Sequence, residues 1–111
     1  MDMFSVLADP TRRQIMEMLA GGGQLTATQI YDRFAVSHPA ISQHLKVLRE
    51  ANVVVMQKRG QQHLYQLNRD AMNIVENWLQ ALTAKWNERF DALDAVLEEE
   101  KQKRWASQPN P

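Results

Sequence analysis

Apolar positions at helical spacing, each run preceded by a capping residue, dominate the first third of the chain. The first stripe consists of Met3, Phe4 and Leu7. It predicts one or two helical turns that end near Asp9. Asp9 followed by Pro10 is typical of a helix start, because the carboxylate accepts from free backbone N–H groups and proline has no N–H to leave unpaired. The glycines at 21–23 end this second helix.

Two more helices follow in close succession. Thr26 is a candidate cap for a helix that runs to about Phe34. Ser37 is a candidate cap for the next helix, with Pro39 in its first turn and an end near Ala51. Two helices joined by so short a connection predict a helix-turn-helix.

The pattern then changes to that of strands. Residues 53–59 are rich in β-branched side chains, residues 60–62 favour a turn, and residues 63–67 predict the returning strand. Asn68 is expected to cap a long helix over residues 69–103. The fold class is therefore predicted as mostly α with a β-hairpin wing (α+β), a winged helix-turn-helix.

Length and composition indicate one domain. With 111 residues and 44% apolar content, residues 1–104 are expected to form a single winged helix-turn-helix domain, and residues 105–111 a disordered tail. The chain has no Cys, which excludes disulfides, thiolate zinc sites and Cys nucleophiles. Because it shows no basic leader and no membrane-length apolar run, we expect a soluble, cytoplasmic protein with no membrane partner.

Charge is unevenly distributed, although the chain's formal net charge is zero. Residues 33–69 contain six basic residues and one acidic residue, a net charge of +5, whereas residues 70–111 carry −3. The six basic residues are Arg33, Lys46, Arg49, Lys58, Arg59 and Arg69. Since Lys and Arg neutralise phosphates, the basic segment predicts a nucleic-acid surface.

The helix after Ser37 has two different faces. Ile41, Leu45 and Leu48 share one side and predict its buried stripe. The opposite side carries small polar groups flanked by cations, which suits contact with base edges and phosphates in the major groove. The predicted DNA-contacting residues of this helix are Ser37, His38, Pro39, Ala40, Ser42, Gln43, Lys46 and Arg49. His44 lies nearer the buried stripe, so we expect a structural hydrogen bond or a phosphate contact there.

The tip of the predicted hairpin carries a second set of candidate DNA contacts. These are Lys58, Arg59, Gln61 and Gln62. Two adjacent cations beside a flexible glycine suit a wing that lies along the phosphate backbone or enters the minor groove.

Three segments give the sequence a strong resemblance to the ArsR/SmtB-like family of winged-helix repressors. They are Leu7–Arg13, Val36–Ala51, and Arg59-Gly60 with Tyr65–Leu67, and the likeness spans about residues 3–97. Only Asn52, where the family usually has glycine, departs from the middle pattern, and asparagine tolerates the same left-handed cap. The resemblance implies a homodimeric repressor that binds a palindromic double-stranded operator and is released by an inducing signal, whose identity the sequence leaves open.

A metal-sensing role, which the family's best-known members have, is not expected here. Thiolate ligands are absent with Cys itself, and the last helix contains no His. His38, His44 and His63 offer no pair four residues apart. We therefore predict no metal site and no cofactor, as in the family's metal-independent branch.

The last predicted helix has an apolar stripe too long for a domain of this size to cover. We predict that this stripe and the first helix form a two-fold dimer interface. The predicted interface residues are Met3, Phe4, Leu7, Trp78, Leu82, Trp86, Phe90, Leu93 and Leu97. The eleven-residue spacing does not suit a left-handed heptad coil.

Two other classes of function agree less well with the sequence. A winged helix can act as a protein–protein interaction module without specific DNA binding, and the basic segment argues against that. An enzyme is disfavoured because no phosphate-binding glycine loop, Cys or Ser-His-acid set is suggested.

Overall fold

The computed structural model describes residues 2–107. Within that range the elements, in chain order, are α1 (Met3–Leu7), α2 (Pro10–Gly22), β1 (Gln24–Thr26), α3 (Ala27–Tyr31), α4 (His38–Glu50), β2 (Val54–Arg59), β3 (Gln62–Leu67) and α5 (Arg69–Ser107). The chain divides into two compact units, one up to Asn73 and one from Ile74. The mostly helical class with a β-hairpin wing, the winged helix-turn-helix, is confirmed.

Side-chain caps determine where the first two helices begin. The N–H of Ser5 donates to Asp2 Oδ1 at 2.8 Å, which caps α1. The N–H groups of Thr11 and Arg12 donate to Asp9 Oδ1 at 2.8 and 3.2 Å, and Pro10 occupies the first helical position. The predicted Asp9 cap is confirmed, whereas the Asp2 cap was not anticipated.

Helix α3 has the predicted start and an earlier end. The Thr26 hydroxyl accepts from the N–H of Gln29 at 3.1 Å, and the Gln29 side chain accepts from the N–H of Thr26 at 2.8 Å, a complete capping box. The predicted end near Phe34 is wrong. After Tyr31 the backbone tightens, and the N–H of Phe34 donates only three residues back, to the carbonyl of Tyr31.

Helix α4 agrees with the prediction at both ends. Ser37 Oγ accepts from the N–H of Ala40 at 3.4 Å, and Pro39 lies in the first turn. Asn52 has a φ of 60°, the left-handed conformation that ends a helix.

Three antiparallel strands form a sheet in the order β1-β3-β2. The hairpin has a two-residue loop, Gly60 and Gln61, with Gly60 at a φ of +64°. Gln62, expected in the turn, instead pairs with Arg59 in the ladder. Strand β1 was missed by sequence reasoning because three residues show no alternation, and its partner β3 lies about forty residues further along the chain.

The core of the first unit is entirely apolar at its centre. Its largest fully buried side chains are Ile15, Leu19, Ile30, Ile41, Leu45, Leu48, Val6 and Val53. The predicted stripe of α4 supplies three of them. In α1 the buried residue is Val6, while Phe4 remains 51% exposed.

Helix α5 begins as predicted and extends further than predicted. The Asn68 side chain accepts from the N–H of Asp70 at 3.1 Å. A disordered tail from residue 105 is wrong for residues 105–107, which are helical. Ion pairs one turn apart stabilise this end, Lys101 to Glu98 at 3.8 Å and Lys103 to Glu100 at 3.9 Å. Residues 108–111, the rest of the predicted tail, lie outside the described residues.

No helix within residues 2–107 is both long enough and apolar enough to cross a membrane.

The cap at Asp9 generates a pH-dependent prediction. Burial raises the pKa of Asp9, but the backbone N–H groups of Arg12 and Thr11 and the nearby positive charges outweigh it, so the pKa lies below 3.8. Asp9→Ala should therefore lower the free energy of unfolding by about 1 kcal/mol at pH 7. A depressed pKa contributes stability above pH 3.8 that is lost as the pH falls through the folded value. Urea titrations from pH 7 to 3 should show the difference shrinking in acid.

Asp9→Asn is the matched control, because asparagine caps a helix without titrating. Its difference from the wild type at neutral pH should be smaller than that of Asp9→Ala. A difference between Asp9→Ala and the wild type that stays constant down to pH 3 would contradict the charged cap.

Candidate nucleic-acid interface

One face of α4 is buried and the other is covered by polar side chains. Ile41, Leu45 and Leu48 fix the helix to the core, so the helix presents its opposite face in a fixed direction. The exposed residues from the predicted DNA-contacting set are Ser37, His38, Pro39, Ser42, Gln43, Lys46 and Arg49. Ala40 is half-buried. Burial of one face has thus placed the predicted residues of this helix together on the other.

The start of α4 is braced by an aromatic stack. The rings of Tyr31 and His38 lie 4.6 Å apart between centroids, with planes 17° from parallel. Because Tyr31 is the last residue of α3, the stack ties the two helices of the helix-turn-helix together. Tyr31 was not among the residues predicted for the interface.

His44 has a structural partner behind the helix. Arg12 Nη1 lies 3.5 Å from His44 Nδ1 and is the donor of this contact, because a guanidinium has no acceptor atom. The same guanidinium donates from Nε to the carbonyl of Val6 at 2.9 Å and from Nη2 to that of Ser5 at 3.4 Å. Its Nη1 also lies 3.9 Å from Asp9 Oδ2. His44 therefore makes the structural contact that the sequence allowed, while Arg12 was missed.

The tip of the hairpin presents the predicted wing residues to solvent. Lys58, Arg59, Gln61 and Gln62 are all exposed. Lys58 pairs with His63 and Arg59 pairs with Gln62 across the ladder. Successive side chains along a strand point to opposite faces of the sheet, so Lys58 and Arg59 lie on opposite sides of the wing.

A groove runs between α4 and the wing, and we call it the helix–wing groove. Its lining residues are Tyr31, Ser42, Lys46, Arg49, Glu50, His63 and Tyr65. Lys46 Nζ lies 4.0 Å from Glu50 Oε1. Burial raises the pKa of Tyr65 above 10.0, and the positive charge of nearby Arg49 offsets part of this rise. The groove thus combines cations with hydroxyl groups, and Tyr31, His63 and Tyr65 were absent from the predicted set.

The residues predicted for a dimer interface are partly exposed in both units. In the first unit Phe4 is exposed, and Met3 and Leu7 are half-buried. In the second unit the six predicted residues of α5 range from 46% to 58% exposed. They are Trp78, Leu82, Trp86, Phe90, Leu93 and Leu97. Trp86 and Phe90 contact each other edge to face, with centroids 5.0 Å apart.

In the part of the chain that the structure describes, no group of three His, Asp or Glu residues is placed to hold a metal ion.

A helix-turn-helix followed by a β-hairpin, with polar and basic residues on α4 and the hairpin tip, defines a winged helix-turn-helix protein. A family model described as a helix-turn-helix domain matches residues 7–57. The chain is 38% identical to the transcriptional repressor SdpR of Bacillus subtilis, over 70% of this chain and 86% of that protein. It is 34% identical to an arsenical resistance operon repressor of Staphylococcus xylosus, over 66% of this chain and 69% of that protein.

A solved structure of a transcription regulator is also similar to this chain. An ArsR-like transcriptional regulator from Rhodococcus sp. RHA1 superposes with a TM-score of 0.69 at 29% identity, covering 84% of this chain and 87% of that one. The chain belongs to the ArsR family of winged helix-turn-helix transcription regulators. It is therefore a DNA-binding transcription regulator and not an enzyme.

The contacts of Arg12 generate a prediction about stability. The Arg12 side chain is only 12% exposed, so Arg12→Ala leaves two carbonyls and His44 without a donor in a largely buried place. The free energy of unfolding should therefore fall by about 2–3 kcal/mol. Arg13→Ala is the matched control, because Arg13 makes one exposed bond, to the carbonyl of Leu7, and its loss should cost less than about 1 kcal/mol. Urea unfolding at one protein concentration measures both. Equal losses would show that Arg12 has no special role.

Proposed function

We propose that this protein is a dimeric transcriptional repressor that inserts α4 into the major groove of an inverted-repeat operator. The observation that carries this proposal is the exposed polar face of α4, whose buried face is fixed in the core. Ser42 and Gln43 contact base edges there, and flanking cations hold the phosphates. The wing lies on the adjacent backbone or in the minor groove through Lys58, Arg59, Gln61 and Gln62.

In this proposal the form of the protein that binds DNA contains a second copy of the chain. We infer that the exposed apolar side chains of α5 and, separately, the partly exposed residues of α1 contact the second copy. A two-fold dimer places two recognition helices about one DNA turn apart, roughly 34–36 Å, which matches two inverted half-sites.

Repression follows from occupancy of a promoter by such a dimer. Two relatives carry the word repressor in their names, and they align with 70% and 66% of this chain. A compact dimer bound over a promoter excludes polymerase without further contacts. Repression of its own operon is the simplest arrangement.

The first experiment is a binding titration against the DNA upstream of the protein's own coding sequence. Purified protein competes for those fragments and for a scrambled duplex at several salt concentrations. A palindromic fragment should be preferred by about a thousandfold or more, with affinity falling steeply as salt rises. Weak, unselective binding even at low salt would overturn the proposal and favour a protein–protein interaction module.

Base readout and phosphate contact separate into different measurable effects. Gln43→Ala should cost about 1–3 kcal/mol on the preferred duplex and relax base preference. Lys58→Ala should weaken binding to all duplexes alike and flatten the salt dependence by about one unit. The measurement is the dissociation constant for preferred and scrambled duplexes across salt. Identical behaviour of the two variants would refute this division of roles.

The dimer is tested by a charge placed in the apolar stripe. Trp86→Glu should yield monomers with poor operator affinity, because a carboxylate buried without a partner opposes association. Trp105→Glu, at an exposed tryptophan outside the predicted interface, is the matched control and should remain dimeric. Sedimentation analysis reports the mass of each. A Trp86→Glu protein that still sediments as a dimer would rule out the proposed interface.

A further inference from the structure

The large apolar residues of α5 are spaced symmetrically about Trp86. Seven of them follow one another at steps of four, three, four, four, three and four residues. They are Val75, Leu79, Leu82, Trp86, Phe90, Leu93 and Leu97. All are exposed except Val75, which is half-buried. Steps of three and four keep these side chains on one side of the helix, so they form a single stripe whose spacing is the same in both directions.

This symmetry is the pattern that an antiparallel pair of α5 helices needs. With a two-fold axis at Trp86, each residue faces one that lies equally far on the other side of Trp86. Leu82 of one copy then faces Phe90 of the other, and Leu79 faces Leu93. In a parallel pair each residue would face itself, and symmetric spacing would bring no advantage.

Two cations lie beside the centre of the stripe. Lys85 and Arg89 line a shallow shelf on α5 together with Leu82, Thr83 and Trp86, and we call it the α5 shelf. Lys85 comes one residue before Trp86, and Arg89 comes three residues after it. Because residues four apart lie above one another on a helix, both cations are on the same edge of the stripe.

No acidic residue of α5 neutralises these cations. Within residues 2–107 neither Lys85 nor Arg89 forms an ion pair, although Glu88 lies one turn from Lys85. The residues one turn from Arg89 are Lys85, Trp86, Ala92 and Leu93, and none is acidic. By contrast, Lys101 and Lys103 each have a glutamate partner further along the helix.

An antiparallel pair would bring the cations of both copies together. A two-fold axis perpendicular to the helices places the same edge of each helix on the same side of the pair. Lys85 and Arg89 lie within three residues of the axis, about 4.5 Å along the helix, so four cations gather there, two from each copy. Residues 77–87 contain no acid that the partner could offer. Four like charges beside an apolar contact oppose association, and an anion among them removes that cost.

We propose that two α5 shelves, brought together by antiparallel packing centred on Trp86, form a site for an amphipathic carboxylate. Its carboxylate group binds Lys85 and Arg89, and its apolar body lies on Leu82 and Trp86. A guanidinium suits this role because it binds a carboxylate through two parallel hydrogen bonds. The existence of the dimer rests on the proposed function, whereas the register and the anion site go beyond it. A ligand that only the dimer binds stabilises the dimer by mass action.

The register can be tested by disulfide cross-linking, because the chain has no Cys of its own. Leu82→Cys combined with Phe90→Cys should give a covalent dimer under mild oxidation, since the two positions face each other in the antiparallel pair. Leu82→Cys alone should not, because the two copies of this position lie eight residues apart along the pair, about 12 Å. Non-reducing electrophoresis reports the cross-link.

A second cysteine pair protects this test against a dimer weakened near its centre. Leu79→Cys with Leu93→Cys lies farther from the axis and should cross-link in the same way. Cross-linking of Leu82→Cys alone would indicate parallel helices and overturn the inference. Double variants that sediment as dimers without cross-linking would also overturn it, while leaving the repressor proposal intact.

The anion site is tested with octanoate, and 1-octanol is the uncharged control of the same chain length. Calorimetric titration at constant ionic strength should show that the wild type binds octanoate more tightly than 1-octanol. Arg89→Gln should bind octanoate at least tenfold more weakly. Lys101→Gln makes the same change in net charge on α5 outside the shelf, and it should bind octanoate like the wild type.

The outcome of this titration is independent of DNA. Octanoate binding that requires Arg89 supports the site even if no duplex is preferred. Three results would overturn it: no octanoate binding at millimolar concentration, equal binding of octanoate and 1-octanol, or equal octanoate affinity in Arg89→Gln and the wild type.

The ligand-free dimer provides a further check with the opposite sign. Arg89→Gln removes two of the four like charges, so it should lower the dimer dissociation constant several-fold at low salt. The gain should shrink as salt rises, because salt screens the repulsion. Sedimentation over a range of protein concentrations measures this, with Lys101→Gln again as the control. A dimer that Arg89→Gln weakens would mean that Arg89 attracts the partner, which contradicts the cluster of cations.

Discussion

The guanidinium of Arg12 is the contact on which the arrangement of the DNA-binding unit depends. It donates to the last carbonyls of α1, lies beside the residue that caps its own helix, α2, and reaches His44 on α4. Three helices therefore meet at one planar, permanently charged group. Apolar packing of Ile15, Leu45 and their neighbours supplies the favourable burial, and the directed hydrogen bonds of Arg12 add a fixed link between the three helices.

Local chemistry predicted most of the fold, and long-range pairing was what it lacked. Asp9, Ser37 and Asn68 could be recognised as caps because each bonds a backbone group two or three residues away. Strand β1 could not be recognised, since its three residues gain their structure only from β3. The end of α3 and the continuation of α5 to Ser107 were misplaced for a related reason. Neither the tightened turn after Tyr31 nor the exposed ion pairs near the end of α5 can be recognised from apolar spacing.

The candidate interface was predictable where function and exposure coincide. Polar and basic residues on α4 and at the wing tip can be recognised in the sequence because such side chains are rarely buried in an apolar core. Tyr31 and Tyr65 do not stand out, since an aromatic ring at regular spacing is typical of packing. Tyr65 in fact serves both purposes, with its ring in the core and its hydroxyl at the groove. Arg12 was overlooked for the opposite reason, because a cation near the N-terminus of a helix is usually a solvated surface residue.

All three tryptophans of the chain lie on α5, at positions 78, 86 and 105, and none lies in the unit that carries α4 and the wing. The protein's tryptophan emission is therefore a property of its last helix alone. The three indole rings are intrinsic fluorophores on α5, and the unit that carries α4 and the wing has only tyrosine as a comparable fluorophore. Events at the two halves can consequently be followed separately in one unlabelled sample, with indole emission for α5 and a dye on the DNA for the groove.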